Sequence, residues 1–174
     1  MSGGFSGMKV WQYGDHINTD LLFPGRYTYI CSTAEEIRPH LLEDLDSGFA
    51  DGVRQGDIVI AGKNFGCGSS REQPVLGFKT VGLQAIIAKS FSRLFYRAVI
   101  NQGLNLVECA DAVEAYRPGD SVTIDFQTGK IHIADREFQF LPLPQEILSI
   151  RKAGGLLPYV KYKLRQSKEG AQDG

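Results

Sequence analysis

Apolar and polar positions change their rhythm several times along the chain. The opening "MKVWQYG" alternates as a first strand does. "GDIVIAG" and "LQAIIAK" are short apolar runs rich in branched side chains, the pattern of buried strands, and "LNLVEC" reads as another strand. Helical spacing occupies the gaps between them, from Ser70 to about Thr80 and again in "SFSRLFYRAVINQG", which stops near Gly103. Strand, helix, strand, helix, strand is the order of a partly parallel α/β core. Further upstream, "TAEEIRPHLLEDL" has helical periodicity, with Pro39 near its start or interrupting it. "DHINTDLLFPGRYTYICS" is punctuated by Asn, Pro and Gly and reads as a long loop, a common carrier of function.

Beyond Cys109 the texture changes. "DSVTIDF" and "IHIADREFQF" read as antiparallel strands joined through the short turn "QTGK". "PQEILSIRKAGGLLPYVKYKL" closes the chain with one or two short helices broken at Gly154–Gly155. The small residues 1–7 and the polar residues 165–174 are expected to be flexible ends around one domain, residues 8–164. In "SFSRLFYRAVINQG", Phe91, Leu94, Phe95 and Val99 form a stripe expected to face the core. Arg93 and Arg97, four residues apart, either face a partner or cleft or are solvated charges.

Composition narrows the function classes. At 174 residues the chain is long enough for one domain with a real core. Nineteen basic residues against twenty acidic ones give a net charge of −1, which provides no overall field for nucleic acid or an anionic membrane. No apolar run approaches the roughly 20 residues of a membrane span, and the N-terminus lacks the pattern of a secretory signal. Cys31, Cys67 and Cys109 are too widely spaced for a disulfide framework or a Cys-x-x-Cys clip. His16, His40 and His132 are not paired at ligand spacing, so a self-contained metal site is not expected. The natural setting is a reducing cytoplasm.

Candidate chemistry concentrates in "GKNFGCGSSREQP", Gly62–Pro74, between a buried strand and the next helix. Ligands of open α/β sheets sit at that edge. Ser69 and Glu72 fit a capping box, Gly66 and Gly68 permit close backbone approach, and Arg71 offers a fork for a carboxylate. The motif is not a P-loop, since Gly62-Lys63 stands at its beginning, and it is neither a dinucleotide fingerprint nor a Gly-x-Ser-x-Gly elbow. Spacing leaves two readings open: a helix cap with a solvated arginine, or an anion cradle with hydroxyls. Cys67 fits packing better than attack, because no histidine adjoins it. A serine without a base nearby is unreactive, so any chemistry here needs groups from another surface.

"GKNFGCGSSREQP", "GDHINTDLLFPGRY", "AIIAKSFSRLFYRAVINQGL" and "AGGLLPY", in that order, resemble the small-subunit family of 3-isopropylmalate dehydratase, the swivelling domain of the aconitase superfamily. The resemblance covers nearly all of residues 8–164. It implies a swivelling β/β/α domain, a mixed sheet flanked by helices, that lids a separate large subunit carrying a [4Fe-4S] cluster. No cofactor or metal is then expected on this chain, which would pair with the large subunit or, when isolated, with itself. The implied reaction interconverts 2-isopropylmalate and 3-isopropylmalate through 2-isopropylmaleate, in leucine biosynthesis. Position by position, Ser69 corresponds to the family's general base, and Ser70 and Arg71 to its substrate-carboxylate contacts. Asp20 corresponds to an acid of the same cleft, with a structural partnership to an arginine as the other reading. Arg26, Tyr27, Thr28, Tyr29 and Ile30 fall in the substrate-sorting loop, where homoaconitase-like members place an arginine at the position of Tyr29. Arg26 reads as a structural or rim charge, and His16, near this loop, as a turn residue. The alternatives are the small subunit of homoaconitase or another branched-malate dehydratase, and, from another class, a catalytically idle binding or regulatory module.

Overall fold

The computed structural model describes residues 8–170. The expected flexible segment 1–7 and the last four residues of the expected tail lie outside them. In chain order the elements are β1 (Val10–Gln12), α1 (Thr19–Leu22), α2 (Ala34–Ile37), α3 (Phe49–Gly52), β2 (Ile58–Ala61), α4 (Gln73–Val81) and β3 (Ala85–Ala88). They continue with α5 (Arg93–Asn101), β4 (Leu106–Glu108), α6 (Ala110–Ala115), β5 (Val122–Asp125), β6 (Lys130–Ile133), β7 (Arg136–Gln139), α7 (Gln145–Lys152) and α8 (Leu156–Gly170).

Four strands form a parallel sheet in the order β1-β2-β3-β4, and β5-β6-β7 form a separate antiparallel sheet. The central strands β2 and β3 are buried at every position because both faces of the sheet are covered. Val59, Ala61, Ile86, Ala88 and Leu106 pack with Phe78 of α4 and with Phe95 and Val99 of α5. The alternate positions Ile58, Ile60, Ile87 and Val107 pack with Val122, Ile131 and Ile133 of the antiparallel sheet and with Val113 of α6. Side chains alternate between the faces of a strand, so one apolar run serves two cores. Three layers result: helices, parallel sheet, antiparallel sheet. This is the expected α/β class, with its parallel and antiparallel strands in two sheets.

Several local expectations are corrected. "TAEEIRPHLLEDL" does not form one helix. A capping box of Thr33 and Glu36 starts α2, and after four residues the chain tightens into a 3-10 turn, Arg38–His40, around Pro39. Proline cannot supply the amide that an α-helix would need there. The long loop after β1 contains α1 and a second 3-10 turn, Gly25–Tyr27. The tail expected from residue 165 is helical as far as Gly170, as the continuation of α8. Leu94 is exposed, whereas Phe95 and Val99 of the same expected stripe are buried. No described helix is long and apolar enough to cross a membrane.

Asp57, only 1% exposed, ties the sheet edge to the helical layer. Its carboxylate accepts from the Lys9 amide at 2.9 Å, the Trp11 indole at 3.0 Å and the Arg54 amide at 2.9 Å. Trp11 in turn packs edge-on against buried Phe49, with ring centroids 4.9 Å apart. Asp57→Ala strands three donors, and urea denaturation is expected to show a loss of about 3 kcal/mol. A change within experimental error would remove Asp57 from this role.

Candidate active site

The chain leaves the carboxyl end of β2 at Gly62 and runs on between two neighbours. On one side the Gly66 amide donates to the Ile17 carbonyl at 2.8 Å, and the Thr19 amide to the Cys67 carbonyl at 2.8 Å. On the other, the Phe65 amide donates to the Ser90 carbonyl and the Ser92 amide to the Phe65 carbonyl, both at 3.0 Å. Bridges Asn18–Cys67 and Phe65–Phe91 extend the parallel pairing beyond the sheet proper. Asn64, at φ 56°, enters the turn with its amide on the Ser90 hydroxyl at 2.8 Å. His16 is also left-handed, at φ 55°, and its amide donates to the Lys63 carbonyl. It therefore takes the turn role. Cys67 is half-buried, with its backbone committed to this pairing.

Gly66 is required twice. Its φ is +77°, and a Cβ there would stand 2.1 Å from the Phe95 ring. Past this close contact Ser69 and Ser70 are exposed. The expected capping box does not form. Helix α4 begins at Gln73, its N-cap is Glu72 rather than Ser69, and no side chain caps it. Pro74 at the start of α4 removes one of the free amides that an anion would use, which leaves Arg71 as the loop's main anion-binding group.

Arg71 is anchored. One terminal nitrogen donates to Asp20 Oδ1 at 2.7 Å and the other to Thr28 Oγ1 at 3.1 Å. Its Nε is buried and has no partner. The Arg71 side chain is 11% exposed and the Asp20 side chain 73%, so the pair presents the acid to solvent and keeps the base beneath. Asn18 sets this up by capping α1, its side chain accepting from the Leu21 amide, which puts Asp20 in the first turn. Gln73 adds a bond that sequence reasoning missed, donating from Nε2 to the Thr28 carbonyl at 3.1 Å. Gly25 lies so close that a Cβ would be 2.9 Å from Asp20 Oδ1.

The structure thus gathers Ser69, Ser70, Arg71, Asp20 and Thr28. It turns Arg26 and Tyr27 the other way, towards Glu43 and Asp44. Tyr29 and Ile30 project into solvent, 100% and 71% exposed. Exposed Leu94, missed as a site residue because its helix is amphipathic, lines a cleft of about 280 Å³ with Ser70, Arg71, Glu72, Arg97 and Asn101. Arg97 therefore faces a cleft, and with Arg93 on the preceding turn it also lines a second hollow beside Phe91, Tyr96 and Glu108. A larger hollow of about 470 Å³ between α7 and α8 lies away from the serines. Among the described residues no group of three or more His, Cys, Asp or Glu could hold a metal ion.

A three-layer β/β/α domain with a Ser-Ser-Arg loop at the carboxyl edge of its parallel sheet is the swivelling class of the aconitase superfamily, and residues 47–112 match the aconitase C-terminal domain. The chain is 46% identical over 160 residues to the 3-isopropylmalate dehydratase small subunit of Caldicellulosiruptor bescii, covering 91% of this chain and 96% of that one. It is 43% identical to small subunit 1 of the Thermotoga maritima enzyme over 88% and 93% of the two chains. A crystal structure of 3-isopropylmalate dehydratase from Methanocaldococcus jannaschii superposes with a TM-score of 0.84 at 38% identity, covering 93% of this chain and 97% of that one. The chain belongs to the 3-isopropylmalate dehydratase small-subunit family.

Gly66→Ala is expected to cost roughly 3 kcal/mol, from the left-handed backbone and the clash together. Adding Phe95→Leu should relieve only the clash, and no recovery at all in thermal unfolding would contradict that division. The Arg26 guanidinium beside Asp44 holds that carboxyl below its ordinary 3.8, and contacts led by His40 hold Glu43 below 4.5. Because both folded values are depressed, their contribution is complete above those ordinary values and lost as pH falls through the folded ones. Carboxyl carbon shifts followed by NMR should give midpoints below the ordinary values for both residues, and ordinary midpoints would disprove the contacts in solution.

Proposed function

We propose that the chain works as the small subunit of a two-part hydro-lyase interconverting 2-isopropylmalate and 3-isopropylmalate through 2-isopropylmaleate, in leucine biosynthesis. Ser69, as its alkoxide, takes the proton from the carbon next to a substrate carboxylate and becomes the hydroxyl. A hydroxide leaves the neighbouring carbon, and rehydration of the alkene in the opposite sense returns the proton and a hydroxide and restores the alkoxide. Ser70 and Arg71 hold the carboxylate, and Asp20 keeps the guanidinium oriented. The observation that carries this reading is the meeting of exposed Ser69 and Ser70 with an Arg71 already fixed by Asp20 and Thr28.

A serine hydroxyl serves as a base only where water is excluded and its anion is stabilised. Ser69 is open to solvent on this chain, so a second surface must close over it. That surface is the large subunit implied by the relatives' designation as small subunits. A [4Fe-4S] cluster bound there would supply the Lewis acid for the departing hydroxyl. The proposed setting is the cytoplasm, a reducing compartment suited to three free thiols.

An alkyl-bearing substrate is favoured over a tricarboxylate. The loop's one arginine, Arg26, is engaged by Asp44 and Glu43, so the loop itself offers no unpaired cation to a further carboxylate. Tyr29 and Ile30 offer uncharged surface instead.

Mixed with its large subunit and an intact cluster, the wild-type chain should be active, and alone it should be inert. Ser69→Ala should lower kcat by about 10³-fold with unchanged assembly on gel filtration. Activity of the isolated chain, or near-normal turnover of the variant, would refute the assignment.

A further inference from the structure

The substrate-sorting segment Pro24–Ser32 is held from two sides, and only one side belongs to the site already described. Towards the site, Thr28 is fixed by Arg71 and Gln73. On the opposite side Arg26 and Tyr27 are gripped by the short stretch His40–Asp44. Arg26 donates to both oxygens of Asp44, at 2.7 and 2.9 Å, and to Glu43 at 3.2 Å. The Tyr27 ring stacks on the His40 ring, with centroids 3.8 Å apart and planes 22° from parallel. The Tyr27 hydroxyl donates to the Glu43 carboxylate at 3.2 Å, and His40 Nδ1 meets the other Glu43 oxygen at 2.6 Å. Glu43 thus touches all three of its neighbours in the clamp.

Isolated surface ion pairs contribute little to stability, and these groups are partly exposed. A two-oxygen grip and a ring stack on consecutive residues instead restrict geometry. Arg26 and Tyr27 lie within one turn of Tyr29 and Ile30, and the Ile30 and Cys31 amides both donate to the Tyr27 carbonyl. A displacement of the Tyr27 backbone is therefore passed directly to Ile30 and Cys31. With Tyr29 wholly exposed and Ile30 nearly so, their own side chains supply no anchor, and their direction is inherited.

We propose that Asp44, Glu43 and His40 are positioning residues for substrate selection: by clamping Arg26 and Tyr27 from outside the site, they set the direction in which Tyr29 and Ile30 meet the substrate's side chain. The inference rests on the reading of Pro24–Ser32 as the sorting loop and adds residues that touch neither the serines nor the loop tip.

The test uses the assembled two-subunit enzyme with its cluster intact. The ratio of kcat/KM for 3-isopropylmalate to that for malate, which lacks the branched group, is measured for Asp44→Asn, Asp44→Glu, Arg26→Gln and Tyr29→Ala. Asp44→Asn is expected to lower the ratio about tenfold, chiefly through KM for the branched substrate, with thermal midpoint and assembly unchanged. Asp44→Glu, which keeps the carboxylate, should retain most of the ratio. Arg26→Gln should match Asp44→Asn, and the double variant should go no further than either alone. If Tyr29→Ala shifts the ratio while Asp44→Asn and Arg26→Gln leave it within twofold of wild type, the clamp is only structural and the proposal fails. If Tyr29→Ala also leaves it unchanged, the sorting-loop reading itself falls, and the clamp with it.

Discussion

Backbone pairing beyond the end of the parallel sheet is the constraint on which the site depends. Phe65 to Cys67 would be an ordinary surface loop if the chain simply left β2 and wandered to α4. Instead its amides and carbonyls are shared with residues 17–19 on one side and 90–92 on the other, while Gly66 lies against the face of Phe95. Such pairing gives a connection the stiffness of a strand. Ser69 and Ser70 can therefore lack side-chain bracing of their own and still leave the sheet in a fixed direction, with Arg71 held beside them.

The same pairing explains how distant stretches of sequence come to share one guanidinium. Binding the Thr19 amide to Cys67 brings the first turn of α1 beside the loop, and Asp20 arrives on Arg71 as a consequence. The 3-10 turn that follows α1 then brings Thr28 to the other terminal nitrogen of Arg71, with Gly25 small enough to let the chain pass Asp20. Arg71 is a junction between the loop bearing the hydroxyls and the Pro24–Ser32 loop. A hub of this type lets exposed hydroxyls keep a fixed geometry beside a guanidinium without burial of their own.

Much of the architecture was legible in residue order. Apolar runs such as "IVIA" and "AIIA" announced strands covered on both faces, and the alternating texture after Cys109 announced the antiparallel layer. The glycine doublet at 154–155 correctly separated two helices. Local chemistry misled where tertiary contacts competed with it. Ser69 and Glu72 have capping-box spacing, yet α4 starts only at Gln73, after a bent segment from Gly68, so the motif has no helix start to cap. Leu94 sits among core residues in sequence, but Phe95 and Val99 fill the core-facing stripe and leave it at the rim of the cleft.

By itself, the order of residues determined the layers of this protein, the loop that carries its hydroxyls and the family to which it belongs, because burial periodicity and a short dense motif are properties of neighbouring positions. Which partner each charge would take was decided only in three dimensions. Arg71 joined Asp20 and Thr28 across 51 and 43 residues, and Arg26 joined Asp44 across 18, because pairing along the sheet and packing around α1 brought those groups within hydrogen-bonding distance. Sequence spacing carries no record of a distance that exists only after the chain has folded.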